Sequence, residues 1–257
     1  MIVLIAESKT MTDRKMTVSR SEYEAQRPAG ECSAAEIMNR VAGMSAGEIA
    51  QVMKVSAAMA AKVLRMAYEF PNKLSGLRAI EAFTGVVFKS FDYSSLTPGE
   101  KKRCTSFVRI ISSLYGWLEP ENVIKPYRFD FTTRLAPGGK SLAEYLRKDV
   151  TIQLVKELQS GGETAILNLL PADAGKCIDW KLVKRFFKVW KVDFKELKDG
   201  GECKTPNAGK LKTLRGELLR TIISRNLTEA ADLLTLETDS LMPLATPDYP
   251  DHIAFCV

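Results

Sequence analysis

The sequence predicts a single mixed α/β domain of the α+β class, with a central mixed sheet and surrounding helices. Three short apolar runs rich in β-branched residues, at 1–6, 108–111 and 165–170, are typical of buried strands. Longer segments with helix-capping signals separate these runs. No internal repeat occurs, and no linker is long enough to divide the chain, so residues 1–257 are expected to fold as one unit.

The first strand leads into a polar loop, Glu7-Ser8-Lys9-Thr10. Ligands of α/β sheets bind preferentially at the carboxyl ends of strands, so Lys9 is a candidate site residue. An ordinary exposed loop lysine would have the same sequence context. Residues 11–30 are polar and are expected to form a loop, and residues 34–42 a helix.

Two short helices joined by a tight turn are predicted at 45–69, which makes this segment a candidate helix-hairpin-helix. Ser45 and Glu48 form a capping box at its start, and Pro71 ends the second helix. In such a motif, backbone amides at the turn face a phosphate. Candidate DNA contacts here are Lys54, Ser56 and Lys62. The turn lacks the glycines that allow close backbone approach, so an ordinary helical hairpin fits the pattern equally well.

The remaining elements follow from capping residues, prolines and apolar patterns. We expect a helix at 76–83, a strand at 86–88, a helix after Thr97, an irregular segment at 116–140, and helices at 141–159, 210–226 and 228–234. The segment 184–198 is ambiguous, because its lysines have helical spacing while its β-branched and aromatic residues favour a strand. A hairpin turn at 199–201 also favours the strand, which we predict.

Charge is unevenly distributed along the chain. The whole sequence carries 37 Lys and Arg against 31 Asp and Glu, a net charge of +6. Six acids and no basic residue follow position 225, so residues 1–225 carry 37 basic and 25 acidic groups, a net charge of +12. Such a basic body suits a polyanionic partner. A tail that folds across the body and partly neutralises it is an equally simple interpretation.

Composition disfavours several kinds of chemistry. The only histidine is His252 and the five cysteines form no CxxC pair, so we expect neither a hydrolytic triad nor a zinc site. The sequence contains no P-loop and no GxGxxG. We therefore assign no catalytic residue, metal ligand or cofactor. Without a secretory signal or an apolar run of membrane-spanning length, we expect a cytoplasmic protein with free thiols and no membrane partner.

Basic and aromatic residues supply the remaining candidates. Tyr115, Tyr127 and Arg128 lie in the irregular segment, where rings and backbone donors can meet a ligand or simply pack together. Arg215 and Arg220 belong to the basic helix at 210–226. Its charges suit phosphate contacts, but they also suit an ordinary solvated helix face.

Five short motifs are spread in order over nearly the whole sequence. They are Ser8-Lys9-Thr10, Ala82-Phe83-Thr84-Gly85, the stretch from Ser112 to Pro120 with Pro126-Tyr127-Arg128-Phe129-Asp130, Asn168-Leu169, and Lys212 with Arg215-Gly216. Together they resemble the YaaA peroxide-stress protein family. The resemblance implies a cantaloupe-type fold with a cationic cleft and a helix-hairpin-helix. It also implies double-stranded DNA binding, protection against hydrogen peroxide and limitation of free iron.

Lys9, Arg128, Lys212 and Arg215 are the family's basic positions that remain in this sequence. Other positions depart from the family pattern: Ser113 replaces Gly, Asp130 replaces Glu, Phe131 replaces Met, Thr213 replaces Lys, and Pro171 and Ala174 replace Ser and Tyr. Several departures lie in segments that suggest a pocket. They bear on small-molecule chemistry more than on electrostatic DNA binding.

Three hypotheses follow. The first is a nonenzymatic DNA-binding protein whose phosphate contacts are Lys9, Lys54, Lys62, Arg128, Lys212, Arg215 and Arg220, with backbone donors at the Ser56 turn. The second is an enzyme that acts on a nucleobase or a similar small polar ligand, in a cleft formed by Lys9, Tyr115, Tyr127, Arg128, Asp130, Asn168 and Lys212. The third is an interaction scaffold for DNA-repair proteins.

Overall fold

The computed structural model describes residues 1–12, 14, 16–72, 75–162, 165–197, 203–244 and 251–257. Its helices are α1 Arg20–Ala25, α2 Glu31–Ala42, α3 Ala46–Met53, α4 Ala57–Glu69, α5 Ala79–Ala82, α6 Val86–Phe91, α7 Pro98–Phe107, α8 Leu142–Gly161, α9 Ala172–Gly175, α10 Trp180–Val183 and α11 Ala208–Ser224. Short 3₁₀ helices occur at Tyr93–Ser95, Pro137–Gly139 and Ala230–Thr235. Within the described residues, the helices surround two β-sheets of unequal size.

The main sheet is built around its first strand. Its members are β1 Ile2–Ala6, β4 Val108–Ser112, β5 Gly116–Leu118, β7 Ala165–Asn168, β8 Lys188–Leu197, β9 Cys203–Lys204, β10 Met242–Leu244 and β11 His252–Cys256. β1 has parallel neighbours on both sides, β4 and β7, and β8 and β11 continue the parallel pairing beyond β7. β5, β9 and β10 pair antiparallel. The strands therefore form the central mixed sheet that the sequence predicts.

Side chains of β1 alternate between two cores, one on each face of the sheet. Val3 and Ile5 belong to the larger core, which α2 to α7 and α11 cover. Ile2 and Leu4 belong to the smaller core, which α8 covers. Because both faces are buried, the first strand is a continuous apolar run rather than an alternating one. The predicted buried strand at 1–6 is confirmed.

The chain also forms a second, smaller sheet, which the sequence did not predict. β3, Ser75–Arg78, pairs with β2, Met16–Thr17, and with β6, Val123–Ile124. The helix expected at 76–83 is therefore wrong for its first residues, because pairing with β6 overrides their local preference. The loop expected at 11–30 is also wrong in part, since it contains β2 and α1.

The strand expected at 86–88 is wrong, because these residues begin α6. The Gly85 amide donates to Ser8 Oγ at 3.0 Å at the start of this helix. α6 packs against α11, where Gly216 lies beneath the backbone of α6. Tertiary packing, not β-propensity, decides the conformation of these β-branched residues.

Other predictions are confirmed with small shifts. The ambiguous segment is a strand from Lys188 to Leu197, although residues 184–187 are not part of it. Its expected turn at 199–201 lies outside the described residues. The basic helix is α11, and the last expected helix is the 3₁₀ helix Ala230–Thr235. The irregular segment at 116–140 contains only two short strands and one 3₁₀ turn.

The acidic C-terminal segment takes part in the main sheet rather than lying across the basic body. β11 pairs with β8 over five residues, and Asp251 forms an ion pair with Lys188 at 3.4 Å. His252 Nδ1 lies 3.3 Å from Asp193 Oδ2. The described part of the tail therefore extends one side of the sheet and pairs with the charge of Lys188 on β8.

Gly216 provides a test of the packing between α6 and α11. A Cβ atom at this position would lie 2.4 Å from the carbonyl oxygen of Val87 and 2.7 Å from Ser90 Cβ. We expect Gly216→Ala to lower the free energy of unfolding by about 1–3 kcal/mol, because the two helices must separate. Urea unfolding measures this change.

Gly47→Ala is the matched control, since Gly47 is an exposed helical glycine whose added Cβ would meet only Ser45 Oγ, at 3.8 Å. Alanine favours a helix over glycine by up to about 1 kcal/mol, so this variant should be neutral or more stable than the parent. Equal effects of the two substitutions would contradict the close approach of α6 and α11.

Candidate functional site at the carboxyl ends of the parallel strands

The carboxyl ends of three parallel strands meet at one edge of the main sheet. The Glu7 amide donates to the Ile111 carbonyl at 2.9 Å, and the Leu169 amide donates to the Leu4 carbonyl at 3.0 Å. β4 lies on one side of β1 and β7 on the other, so the strand order has a topological switch point at β1. Open α/β sheets bind ligands at such switch points.

A cavity of about 350 Å³ lies at this edge and is called the cavity below. It is lined by the loop after β1, the start of α6, the segment 129–131, the start of α9 and one face of α11. Four residues proposed from the sequence line it together: Lys9, Asp130, Lys212 and Arg215. Residues more than 200 positions apart in the chain are thus brought to one site.

Cations and carboxylates are paired at the cavity. Lys9 Nζ forms an ion pair with Asp130, and Arg128 Nη1 lies 3.7 Å from the other carboxylate oxygen of Asp130. Lys212 is exposed, whereas Arg215 is half-buried. Burial lowers the pKa of the Arg215 guanidinium, and Asp173 and Asp193 oppose that change. Arginine stays charged at neutral pH even so.

Glu7 is the functional candidate that sequence reasoning did not name. Its Oε2 accepts a hydrogen bond from the Ser113 amide at 2.9 Å and another from the Tyr127 hydroxyl. Burial raises the pKa of this carboxyl to about 7, against the opposing effect of its contacts with Ser113 and Tyr127. Its position directly after a buried strand was the available signal.

The two tyrosines support the cavity from behind rather than line it. Tyr127 is buried, and its hydroxyl also lies 2.6 Å from Ser112 Oγ. Tyr115 is buried as well, accepts a hydrogen bond from the Lys125 amide at 3.1 Å and packs edge-on against Tyr127. The aromatic residues of this segment therefore form a packed cluster that positions Glu7.

An open groove of about 550 Å³ adjoins the cavity and is called the groove below. Pro171 and Arg215 line both. Asn168 lines the groove rather than the cavity, and its Oδ1 accepts a hydrogen bond from the Leu170 amide at 3.0 Å. Three further basic residues line the groove and were not singled out from the sequence: Arg147, Lys176 and Lys191. All three are exposed.

The helical hairpin is present, but among the described residues none from 45 to 69 lines the cavity or the groove. Lys54 ends α3 in a left-handed conformation, with φ 53°, and is exposed. Ser56 caps α4 by accepting a hydrogen bond from the Met59 amide, and Lys62 lies on α4, half-buried. DNA contact by these residues stays a prediction.

The Arg220 side chain forms hydrogen bonds within the protein. Its Nη1 donates to the carbonyls of Phe91 and Asp92 and to Ser95 Oγ, at 2.8–3.3 Å. The guanidinium thereby satisfies carbonyl groups at the end of α6. Phosphate contact by Arg220 stays a prediction, and these hydrogen bonds compete with it.

Two departures from the family pattern, Asp130 and Phe131, line the cavity. The other four lie in or beside the site. Ser113 is buried and its hydroxyl makes no hydrogen bond within the described residues. Pro171 lines both concavities, and Ala174 is fully buried beneath them. Thr213 Oγ1 bonds back to the Gly209 carbonyl at 3.5 Å. Of the four, only Pro171 lines the cavity or the groove.

In the part of the chain that the structure describes, no three His, Cys, Asp or Glu side chains come together as metal ligands. None of the helices there combines the length and the apolar character needed to cross a membrane.

Comparison with known proteins gives a family match over nearly the whole chain. The family model described as peroxide stress protein YaaA matches residues 1–242. A UPF0246 protein of Phocaeicola vulgatus is 30% identical over 236 residues, which are 91% of this chain and 90% of that protein. A UPF0246 protein of Parabacteroides distasonis is 28% identical over 232 residues, 89% of each chain.

The raised pKa of Glu7 predicts a pH-dependent stability. Because the folded-state pKa is about 7 and the ordinary value is 4.5, the unfolded state loses this proton first. The ionised carboxylate therefore costs stability progressively as the pH rises from about 5 to about 8, by at most about 3 kcal/mol. Glu7→Gln removes the ionisation, so the stability of this variant relative to the parent should increase over that range.

Urea unfolding at about pH 5 and about pH 8 measures the difference. Glu144→Gln is the control, because its hydrogen bonds with Ser141 hold the pKa of the Glu144 carboxyl below its usual value. Its effect should be the same at both pH values. A Glu7→Gln effect that does not change with pH would contradict the assignment.

Proposed function

The chain belongs to the YaaA family of peroxide stress proteins, which supports a role in the peroxide stress response, and from that premise we propose that it acts there by binding double-stranded DNA. The phosphate contacts lie in the groove and at the rim of the cavity. Because these contacts are made to the sugar-phosphate backbone of DNA, binding tolerates different base sequences. Covering DNA in this way would protect it during oxidative stress.

The observation that carries this proposal is the charge of the groove. Arg147, Lys176, Lys191 and Arg215 line it, against one carboxylate, Asp193. Arg147 also lies 3.4 Å from Asp179, and the Asp193 carboxylate lies 3.3 Å from His252 Nδ1. The exposed ammonium groups of the two lysines remain available to phosphates.

Lys212 and Lys9 extend the basic surface from the groove to the rim of the cavity. Lys212 is one turn of α11 before Arg215, which both concavities share, so their charges are neighbours on one helix face. Lys9 is exposed and retains hydrogen-bonding capacity beside Asp130, because an ammonium group has three donors. A duplex in the groove would meet both.

The helical hairpin is a second proposed contact. The Ser45 and Ser56 side chains cap α3 and α4, and the first residues of α4, Ala57 and Ala58, are exposed. Amides at a helix start attract phosphates. If the hairpin contacts the same duplex as the groove, replacement of Lys54 by alanine should weaken duplex binding.

Lys191→Ala tests the groove. We expect weaker duplex binding by several-fold and a salt dependence of log K that is less steep by about 1, because one phosphate contact is lost. Fluorescence anisotropy between about 50 mM and about 200 mM salt measures both quantities. Duplexes of unrelated sequence should give similar affinities.

Lys102→Ala is the matched control, since Lys102 is an exposed lysine of α7 that lines neither concavity. Its affinity and salt slope should equal those of the parent. Parent affinity that is indifferent to salt, or equal losses in the two variants, would refute binding through the groove.

A second function is favoured by one observation, a carboxyl of raised pKa that lines the cavity. Glu7 has a pKa of about 7, which suits a general acid or base in an enzyme that acts on a nucleobase or similar small polar ligand. Lys212 is exposed, so it lacks the desolvation that would activate a lysine nucleophile. Glu7 is accordingly the better candidate for this chemistry.

Thermal shift measurements with free nucleobases test the second function. A ligand that fills the cavity should raise the Tm of the parent protein, and Asp130→Asn should reduce that rise because Asp130 lines the cavity. Glu144→Gln serves as control, because Glu144 is exposed and does not line the cavity. The absence of any shift with every nucleobase would exclude the second function.

A further inference from the structure

The cavity and the groove differ in net charge although they share Arg215. The cavity has three carboxylates and three cations among its lining residues, namely Glu7, Asp130, Asp173, Lys9, Lys212 and Arg215. The groove has four cations and one carboxylate. An anionic backbone is therefore attracted to the groove, whereas the interior of the cavity favours a group without charge.

The cavity walls are largely apolar. Val86 and Val87 of α6 form one wall, and Phe129, Phe131 and Leu169 line the cavity from the opposite loops. A volume of about 350 Å³ lies at the small end of the range for small-molecule sites, about 300–1,000 Å³. A flat body with apolar faces would fit between these side chains.

Polar groups reach the cavity from the loop after β1, the segment 129–131, the start of α9 and α11. Glu7 lines the cavity, and its hydrogen bonds with the Ser113 amide and the Tyr127 hydroxyl are made by Oε2. Near neutral pH its carboxyl occurs in protonated and ionised forms, so it can donate as well as accept. The edge of a nucleobase presents the same mixture of donors and acceptors.

We propose that the cavity receives one unpaired base of the bound DNA while the groove holds the neighbouring phosphates, with Arg215 between them. This inference rests on the proposed DNA binding and adds a preferred substrate, a duplex that contains an unpaired or mismatched base. A base in an intact pair must leave the stack before it can enter such a cavity, and the cost is lowest where pairing is already lost.

The test compares two duplexes that differ only at a central 2-aminopurine, which is paired in one and mismatched in the other. The parent protein should bind the mismatched duplex more tightly, by about tenfold, equivalent to about 1.4 kcal/mol. Binding should also change the 2-aminopurine fluorescence, because the base leaves its stacked neighbours. Anisotropy of a separate terminal dye gives the affinities.

Val86→Trp fills the cavity without a change of charge, since Val86 is 41% exposed and lines the cavity. It should bind the paired duplex within about twofold of the parent and lose the preference for the mismatch. Ile152→Trp is the matched control: Ile152 lies on α8, is 40% exposed and does not line the cavity. Its preference should equal that of the parent.

The outcomes separate the two proposals. Tight binding of both duplexes by the parent without preference, or a preference retained by a folded Val86→Trp, overturns the base-receiving cavity and leaves DNA binding intact. Binding of neither duplex at low salt overturns DNA binding and the cavity together. If Val86→Trp does not fold, Leu169→Phe replaces it as the cavity-filling variant, with the same two expected results.

Discussion

Parallel pairing of β1 with β4 and β7 is the constraint on which the rest of the structure depends. It places the residues after all three strands at one edge, and backbone hydrogen bonds from Glu7 and Leu169 continue the ladders past the strand ends. Since both faces of β1 are covered by cores, this edge is where the loops can open to a ligand. The residues that line the cavity lie around that edge of the sheet.

Arg215 joins the two halves of the proposed function. Its guanidinium lies where the near-neutral cavity meets the cationic groove, with Asp173 and Asp193 on the two sides to keep it charged despite burial. The described part of the acidic tail pairs with β8, and Asp251 forms its ion pair there with Lys188 rather than with Lys191. For the proposed DNA ligand, the local charge of the groove would therefore matter more than the net charge of the chain.

The sequence predicts the strands with continuous apolar runs and the helices with complete capping boxes, because those signals are local. It fails at 76–78 and 86–88, where pairing with β6 and packing against Gly216 determine the conformation. Lys9 was predictable from its position after a strand, Lys212 and Arg215 from the basic helix, and Asp130 from the family motif. Glu7 was not, because only burial in the folded chain raises its pKa, and its hydrogen-bond partner Tyr127 is 120 residues away in the sequence.

Close packing of α6 on α11 links the stability of the fold to the shape of the cavity. Gly216 brings α11 against the Val87 carbonyl, and the same two helices carry an apolar wall of the cavity and its cations Lys212 and Arg215. Gly85, at the start of α6, also donates to Ser8 in the loop that bears Lys9. A side chain at position 216 would therefore push α6 away from α11. That movement would separate the apolar wall on α6 from the basic residues on α11. The glycine of the Arg215-Gly216 motif is thus required for the width of the cavity as well as for helix packing.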